Sequence, residues 1–258
     1  MVDYMWCGMI IISNKLKVNN LCKNNLCVVT DFDKTITSYN SNSSLGVFSK
    51  FLPKKYEKEK EKLNEKEKNF ILINKSKEEK TNFFKYIWFQ KFSLLKTFLN
   101  DSQIIKDIVE SEEFIFRKDA IDTLNYLQRK YKVIINSSGF GNLIVELLKK
   151  EGCRFDNLVI FSNFINYFEH DDYKYSSIIS SENKNNSKYL NYLQRYNNFL
   201  LLGDTLSDLT MVPENKEVCS IGFLDCQYDE YLNDFIENFD IVATENEPYS
   251  GPIKKLHL

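Results

Sequence analysis

One stretch constrains this chain more than any other: Cys27-Val28-Val29-Thr30-Asp31-Phe32-Asp33-Lys34-Thr35-Ile36-Thr37. Its first half is short, apolar and β-branched, the pattern of a buried strand. Its second half carries two aspartates two residues apart. Open α/β sheets bind ligands beyond the carboxyl ends of their strands. Asp31 therefore stands where the strand stops, and Asp33 in the loop that follows. Two carboxylates this close do not both stay ionised cheaply without a cation, and a divalent metal is one solution. Taken alone, Asp-x-Asp-x-Thr is more often a turn or a helix cap. Its meaning depends on what the other strand ends supply.

The rest of the chain has two textures. Residues 1–25 read as a helical lead-in, with the apolar Tyr4–Ile12 as a first helix; this run is too short to span a membrane. From Ser38 to about Glu112 strand signals nearly vanish. Pro53 opens a helix through Lys54–Lys68, whose Lys/Glu alternation marks a solvated face. Phe70-Ile71-Leu72-Ile73 is a brief apolar run, and an aromatic-rich helix spans about Lys77–Leu99. A third helix follows, capped by Asp101, with Ile104, Ile105, Ile108 and Val109 as its buried stripe. Strand–helix alternation then resumes. Strands are expected at Lys132–Asn136, Leu158–Phe161, Phe199–Leu202, Val218–Ile221 and Asp240–Ala243. Helices are expected from Ala120 to Tyr131, from Leu143 to a stop at Gly152, near Tyr189–Tyr196 and over Asp229–Asn238. A hairpin around His170-Asp171-Asp172 is expected between Asn163 and Ser176. Such alternation implies a mostly parallel sheet covered on both faces.

Composition removes several function classes. Over 258 residues, 34 Lys and Arg face 36 Asp and Glu, a net charge of -2. No bulk charge draws the chain to a nucleic acid polymer or an anionic membrane. Six scattered cysteines lack metal-site spacing and read as reduced thiols of a cytoplasmic protein. Two histidines argue against a multi-histidine metal centre.

The expected strand ends and the loop before the fourth strand bring polar groups to one sheet edge. Asp31 and Asp33 follow the first strand, Ser137 the second, and Asp204 and Asp208 the fourth. Lys184, with Lys188 as its rival, lies in the loop. Together they provide a nucleophile, an acid/base, a metal site, a hydroxyl and a cation, the requirements of phosphoryl transfer. Singly, Ser137 and Asp208 read as helix caps, and Lys184 as one solvated lysine among many.

The four motifs, in order and spacing, resemble the haloacid-dehalogenase superfamily over nearly the whole chain. Asp31-Phe32-Asp33-Lys34-Thr35, Ser137, Lys184 and Gly203-Asp204 through Asp208 match its first to fourth motifs. Within it the chain resembles the pyrimidine 5′-nucleotidase (cytosolic 5′-nucleotidase III) family. The likeness lies in Ser43-Ser44-Leu45-Gly46-Val47, Leu52-Pro53-Lys54-Lys55-Tyr56, Glu78-Glu79-Lys80, Asn136-Ser137-Ser138-Gly139-Phe140-Gly141, Phe161-Ser162-Asn163-Phe164 and Asn183-Lys184.

The resemblance implies an α/β fold: a Rossmannoid core (1–38 and 113–258) with a parallel sheet and an inserted helical cap of the C1 type (39–112). It implies that Asp31 attacks phosphorus and that Asp33 protonates the leaving oxygen, then activates water. Ser137 and Lys184 would hold the phosphoryl oxygens. Mg²⁺ would bind the Asp31 and Asp204 side chains and the Asp33 carbonyl, with Asp208 supporting through water. Ser138, Gly139, Ser162 and Asn163 would line the substrate site. Trp88, Phe84 and Tyr86 are candidates to stack on a flat ring, though cap aromatics more often form the cap's own core. The departures fall mainly in the cap. Leu45 replaces a usual polar residue, and Leu72 or a neighbour replaces a base-contacting glutamate. Asn185 stands for the histidine after motif three, and Ser207 for a glycine in motif four. The expected substrate is a nucleoside 5′-monophosphate; another small phosphomonoester, such as a vitamin or sugar phosphate, is the alternative. A binding module without catalysis is the third reading. Monomer and homodimer stay open.

Overall fold

Strands buried on both faces need apolar side chains at successive positions, and the chain supplies them in short runs. The computed structural model describes residues 9–71, 76–99, 103–164, 178–226, 228–244 and 247–258. Among these, seven strands form one sheet: β1 (Ile10–Ile12), β2 (Leu26–Thr30), β3 (Lys132–Phe140), β4 (Leu158–Asn163), β5 (Asn198–Gly203), β6 (Glu217–Leu224) and β7 (Ile241–Thr244). Their order is β1-β7-β6-β5-β2-β3-β4. All neighbours run parallel except β1 on β7. β2 lies inside the sheet, flanked by β3 and β5. The chain steps from β2 to opposite sides of the sheet, which opens a crevice at its carboxyl end.

Side-chain alternation divides the core into two layers. Val28, Leu200 and Leu202 enter one apolar cluster; Cys27, Val29, Phe199 and Leu201 enter the other. Helices α4 (Lys77–Phe98), α5 (Gln103–Glu110), α6 (Ala120–Gln128) and α7 (Gly141–Lys150) add Leu95, Ile108, Leu124 and Leu147 to the first. Helices α8 (Ser187–Leu193) and α9 (Tyr228–Asn238) add Leu193 and Phe235 to the second. Each fully buried aliphatic side chain contributes roughly 1.5–3 kcal/mol relative to exposure.

The expected helix over Tyr4–Ile12 needs correction at its end. Ile10–Ile12 is a strand, antiparallel on β7 with Ile10 opposite Ala243. Three β-branched residues fit a pleated edge better than a helix, and they cover the outer edge of β7. The helix comes later, as α1 (Lys15–Asn20), with the Lys17 N–H donating to Asn14 Oδ1 at 3.1 Å. β3 also runs past its expected end at Asn136. Its register against β4 shifts between Asn136 and Phe140. The expected helix cap at Asp101, Leu72 and the hairpin around His170 lie outside the described residues.

Between β2 and β3 the chain builds α2 (Phe48–Phe51), α3 (Lys54–Ile71), α4 and α5. Ser76 and Glu79 form a capping box at the start of α4. Lys91 reaches Glu67 across α3 and α4 at 2.6 Å. The outgoing and returning segments are joined side by side. Thr37 bridges Phe116, the Ser38 N–H donates to Ile115 O (2.8 Å), and Asn42 Nδ2 donates to Glu113 O (3.1 Å). The last helix is α10 (Ser250–Lys254). Among the described residues, no helix is long and apolar enough to cross a membrane.

Candidate active site

Asp31 extends β2 by one residue: its N–H donates to Leu202 O on β5 at 3.0 Å. Its buried side chain meets Lys184 Nζ at 2.8 Å through Oδ1. Lys184 also reaches Asp208 Oδ1 at 2.6 Å. The lysine is held from below, because Asn136 Nδ2 donates to its carbonyl at 2.8 Å. Lys188 is exposed on α8. Carboxylate oxygens of Asp31, Asp204 and Asp208 lie within 4.8 Å of one another.

Asp208 is tied down as well as paired. Its Oδ2 accepts from the N–H groups of Asp204 and Thr205 and from the Thr205 hydroxyl, each at 3.0 Å. That closes a capping box on the 3-10 turn Leu206–Met211, so Asp208 caps this turn through Oδ2 while its Oδ1 faces Lys184. Gly203 lets this turn approach: a Cβ there would lie 2.5 Å from Asp208 Cβ. Thr35 Oγ1 donates to Asp204 Oδ1 at 3.3 Å, linking the first and fourth motifs.

Asp33 points at a serine from the segment leading into the helical block. Ser44 donates twice, from N–H to Oδ1 at 2.8 Å and from Oγ to Oδ2 at 2.7 Å. The Ser44 hydroxyl in turn accepts from the Phe140 N–H at 3.3 Å. Gly139 is needed beside it, since a Cβ there would overlap the Ser44 hydroxyl and come within 3.2 Å of Asp33 Oδ2. The turn between the aspartates and Thr35 is special too: Lys34 has φ of 64°, in the left-handed region.

Ser137 is buried at the carboxyl end of β3, and its Oγ accepts from the Gly139 N–H at 3.0 Å. It does not cap α7, which begins at Gly141 after Phe140. Ser162 and Asn163 support this stretch from β4. Ser162 Oγ donates to Gly139 O (3.0 Å), and Asn163 Nδ2 donates to Ser138 O (2.9 Å) and Ile179 O (2.8 Å). Their side chains are thus engaged with protein backbone.

The electrostatics follow from burial. It pushes the Asp31 carboxyl up to about 7, with Asp208 adding to the rise and Lys184 opposing it. Burial also raises Asp204 well above the carboxylate range, reinforced by Asp208 and Asp31. Asp33 is raised by burial against the pull of the two Ser44 bonds. For Lys184, burial alone would favour the neutral amine, but Asp208 and Asp31 outweigh it and drive the pKa up. Three clustered carboxylates thus share one buried ammonium, a donor set that suits a hard divalent cation.

Trp88 does not stand alone. It stacks on Phe92 (centroids 5.9 Å apart), and Phe92 on Phe140 (6.3 Å), so a ladder of rings runs from α4 to the end of β3. Phe84 packs edge-on against Phe70 and Phe83, and Tyr86 is exposed. Leu45 is buried in the main apolar cluster. Asn185 is exposed, and Ser207 Oγ lies 2.8 Å from Thr205 Oγ1. Sequence reasoning assigned no role to two residues at the site. Ser44 lay within a family-like stretch that could have marked it. Arg117, whose guanidinium holds the carbonyls of Lys34 and Thr35, carried no such signal.

This geometry agrees with what the chain resembles among known proteins. The sequence profile of the "Pyrimidine 5'-nucleotidase (UMPH-1)" family matches residues 27–257. A 7-methylguanosine phosphate-specific 5'-nucleotidase of Gallus gallus is 28% identical over 242 residues, covering 86% of this chain and 83% of that protein. The Mus musculus protein of the same description is 31% identical over 173 residues, covering 62% of this chain and 57% of its own length. The crystal structure of cytosolic 5'-nucleotidase IIIB (cN-IIIB) bound to cytidine has the same fold. Its TM-score is 0.71 at 22% identity, with 91% of this chain and 86% of that one covered. With the family profile running from the middle of β2 almost to the last residue, the chain belongs to the pyrimidine 5'-nucleotidase family, phosphoric monoester hydrolases of the haloacid-dehalogenase superfamily.

Proposed function

We propose that the chain hydrolyses nucleoside 5′-monophosphates to nucleoside and phosphate through an aspartyl-phosphate on Asp31. The observation that carries this reading is the buried Asp31 at the head of β2, paired with Lys184 and clustered with Asp204 and Asp208. An Asp31 oxygen attacks phosphorus while the bond to the 5′ oxygen breaks. Asp33 gives that oxygen its proton and then takes one from the water that attacks the phosphoenzyme, releasing phosphate and free Asp31. Lys184 and the Ser137 hydroxyl hold the phosphoryl oxygens, where charge develops. Asp31, Asp204 and the Asp33 carbonyl would hold Mg²⁺, with Asp208 in support; the ion would supply positive charge for the phosphoryl group and favour the ionised form of Asp31.

The helices between residues 39 and 112 form the cap, which excludes water and selects the leaving group. Relatives described as acting on 7-methylguanosine phosphate favour a methylated purine nucleotide alongside pyrimidine nucleotides as first substrates to try. The scattered cysteine spacing and the likeness to a protein described as a cytosolic 5'-nucleotidase support a cytoplasmic setting. Leu45 favours a second reading: its burial in the core takes a usually polar position away from ligand contact, so the cap would serve another small phosphomonoester. Phosphate release with and without Mg²⁺, across nucleoside, vitamin and sugar monophosphates, tests both. Asp31→Asn should remove all turnover while retaining the fold, and retained turnover sinks the mechanism. Ligand binding without metal-dependent release would instead identify a non-catalytic module.

A further inference from the structure

We propose that the buried Arg117–Asp225 pair is a positioning device for the reaction: Arg117 fixes the loop that follows Asp31 and, through Thr35, sets the orientation of Asp204. The inference rests on the phosphohydrolase reading above and extends it to two residues outside the four motifs.

Arg117 lies on the segment that returns from the helical block, with its own N–H on Ile36 O at 2.9 Å. A guanidinium carries five N–H donors in a rigid fork, and every one is engaged. Nε donates to Thr35 O (3.0 Å) and Nη2 to Lys34 O (2.8 Å). Nη1 donates to Glu247 O (3.3 Å) and to Asp225 Oδ1 (3.3 Å), while Nη2 also reaches Asp225 Oδ2 (2.5 Å). The side chains are 1% and 3% exposed. The guanidinium carbon sits 4.3 Å from the centre of the Phe223 ring, which stacks on Tyr249. Tyr249 donates to Thr30 Oγ1 at 3.0 Å, at the last residue of β2.

A buried pair this well satisfied is a poor device for stability, since apolar residues of equal volume often do as well. What it does here is local. Two of its bonds end on the carbonyls of Lys34 and Thr35. Lys34 is in the left-handed region, a conformation that persists in a non-glycine residue only when its surroundings hold it. Thr35, gripped at its carbonyl, donates from its hydroxyl to Asp204. Arg117 thus acts on Asp33 through the turn and on Asp204 through Thr35, and touches no reacting atom.

The test uses the full chain with Arg117→Lys and Asp225→Asn. Lysine keeps the charge but loses the fork; asparagine keeps one acceptor. Val242→Ala, on β7 and remote from β2, serves as a destabilised control. Two readouts are taken: kcat and KM for phosphate release, and the Mg²⁺ concentration at the midpoint of the metal-induced rise in melting temperature. Both pair variants should lose on the order of 10- to 100-fold in kcat with little change in KM. Their Mg²⁺ midpoints should rise about 10-fold, while the control keeps wild-type values of all three. Variants that melt earlier yet match the control in kcat and Mg²⁺ midpoint would overturn the proposal, as would failure of both to fold. If the wild type took up Mg²⁺ but released no phosphate, the hydrolase reading would fall and the metal midpoint alone would decide this one.

Discussion

Ser44→Ala isolates one hydroxyl beside the candidate acid/base. The change leaves the Ser44 N–H on Asp33 Oδ1 and removes the 2.7 Å bond to Oδ2. It also deprives the Phe140 N–H of its acceptor. A hydrogen bond to a charged group is worth roughly 1.5–3 kcal/mol net. If that energy serves to hold Asp33 where the leaving oxygen and the attacking water need it, kcat should fall roughly 10- to 100-fold. KM should stay near the wild-type value, because Ser44 grips Asp33 and the proposed phosphoryl contacts are Ser137 and Lys184. The decisive measurement is a double-mutant cycle with Asp33→Asn. Once Asp33 cannot exchange its proton, loss of the Ser44 hydroxyl should cost almost nothing more. Equal losses in the wild-type and Asp33→Asn backgrounds would refute the reasoning, and so would a Ser44→Ala enzyme with unchanged kcat.

Lys184→Met leaves Asp31 and Asp208 buried without their shared cation, and should destabilise the metal-free protein by about 3–5 kcal/mol in urea unfolding. Added Mg²⁺ should recover part of that loss; a change below about 1 kcal/mol would mean that water or a proton already neutralises the cluster. Gly203→Ala drives a methyl group against Asp208 and should cost about 1–3 kcal/mol in thermal unfolding, together with activity; wild-type stability and turnover would show that the turn yields. Burial pushes the thiols of Cys27 and Cys219 up to about 12 and that of Cys153 up to about 11. With a thiol reagent near pH ~8, site-resolved mass spectrometry should find Cys22 and Cys226 labelled and these three protected until denaturant is added.

Much of this architecture was legible because the physics behind it is local. β2 was readable in place and type, since a strand with both faces covered must be apolar throughout. Helices α3 and α4 were readable, the first from Pro53 and its Lys/Glu alternation and the second from its long aromatic-rich run; the Ser76 cap was not. β1 was not: three isoleucines beside other apolar residues suit a helix until an unpaired strand edge is there to receive them. The end of β3 was hidden by a register shift that composition does not signal. At the site, the aspartates stood out through their places at strand ends, and Lys184 through the motif order. The helpers did not. Ser44 and Arg117 are ordinary polar residues whose partners are set by the fold, Asp33 eleven residues from the first and Asp225 108 residues from the second. Their meaning appears only when Asp33 and Asp225 are set beside them.

The interior position of β2 has a kinetic consequence. Its neighbours are β3 and β5, so Cys27 must find Lys132 on one side and Phe199 on the other. The whole helical block intervenes before the first of these pairings can close. Such distant partners make a slow-forming sheet, because chain entropy is lost before the contacts that offset it are made. Lys184, Asp204 and Asp208, all later in the chain than β3, should therefore reach Asp31 late in folding. Any chain cut before β5 keeps Asp31 and lacks Asp204, so under the proposed mechanism catalytic competence should arrive in a single late step rather than accumulate by pieces.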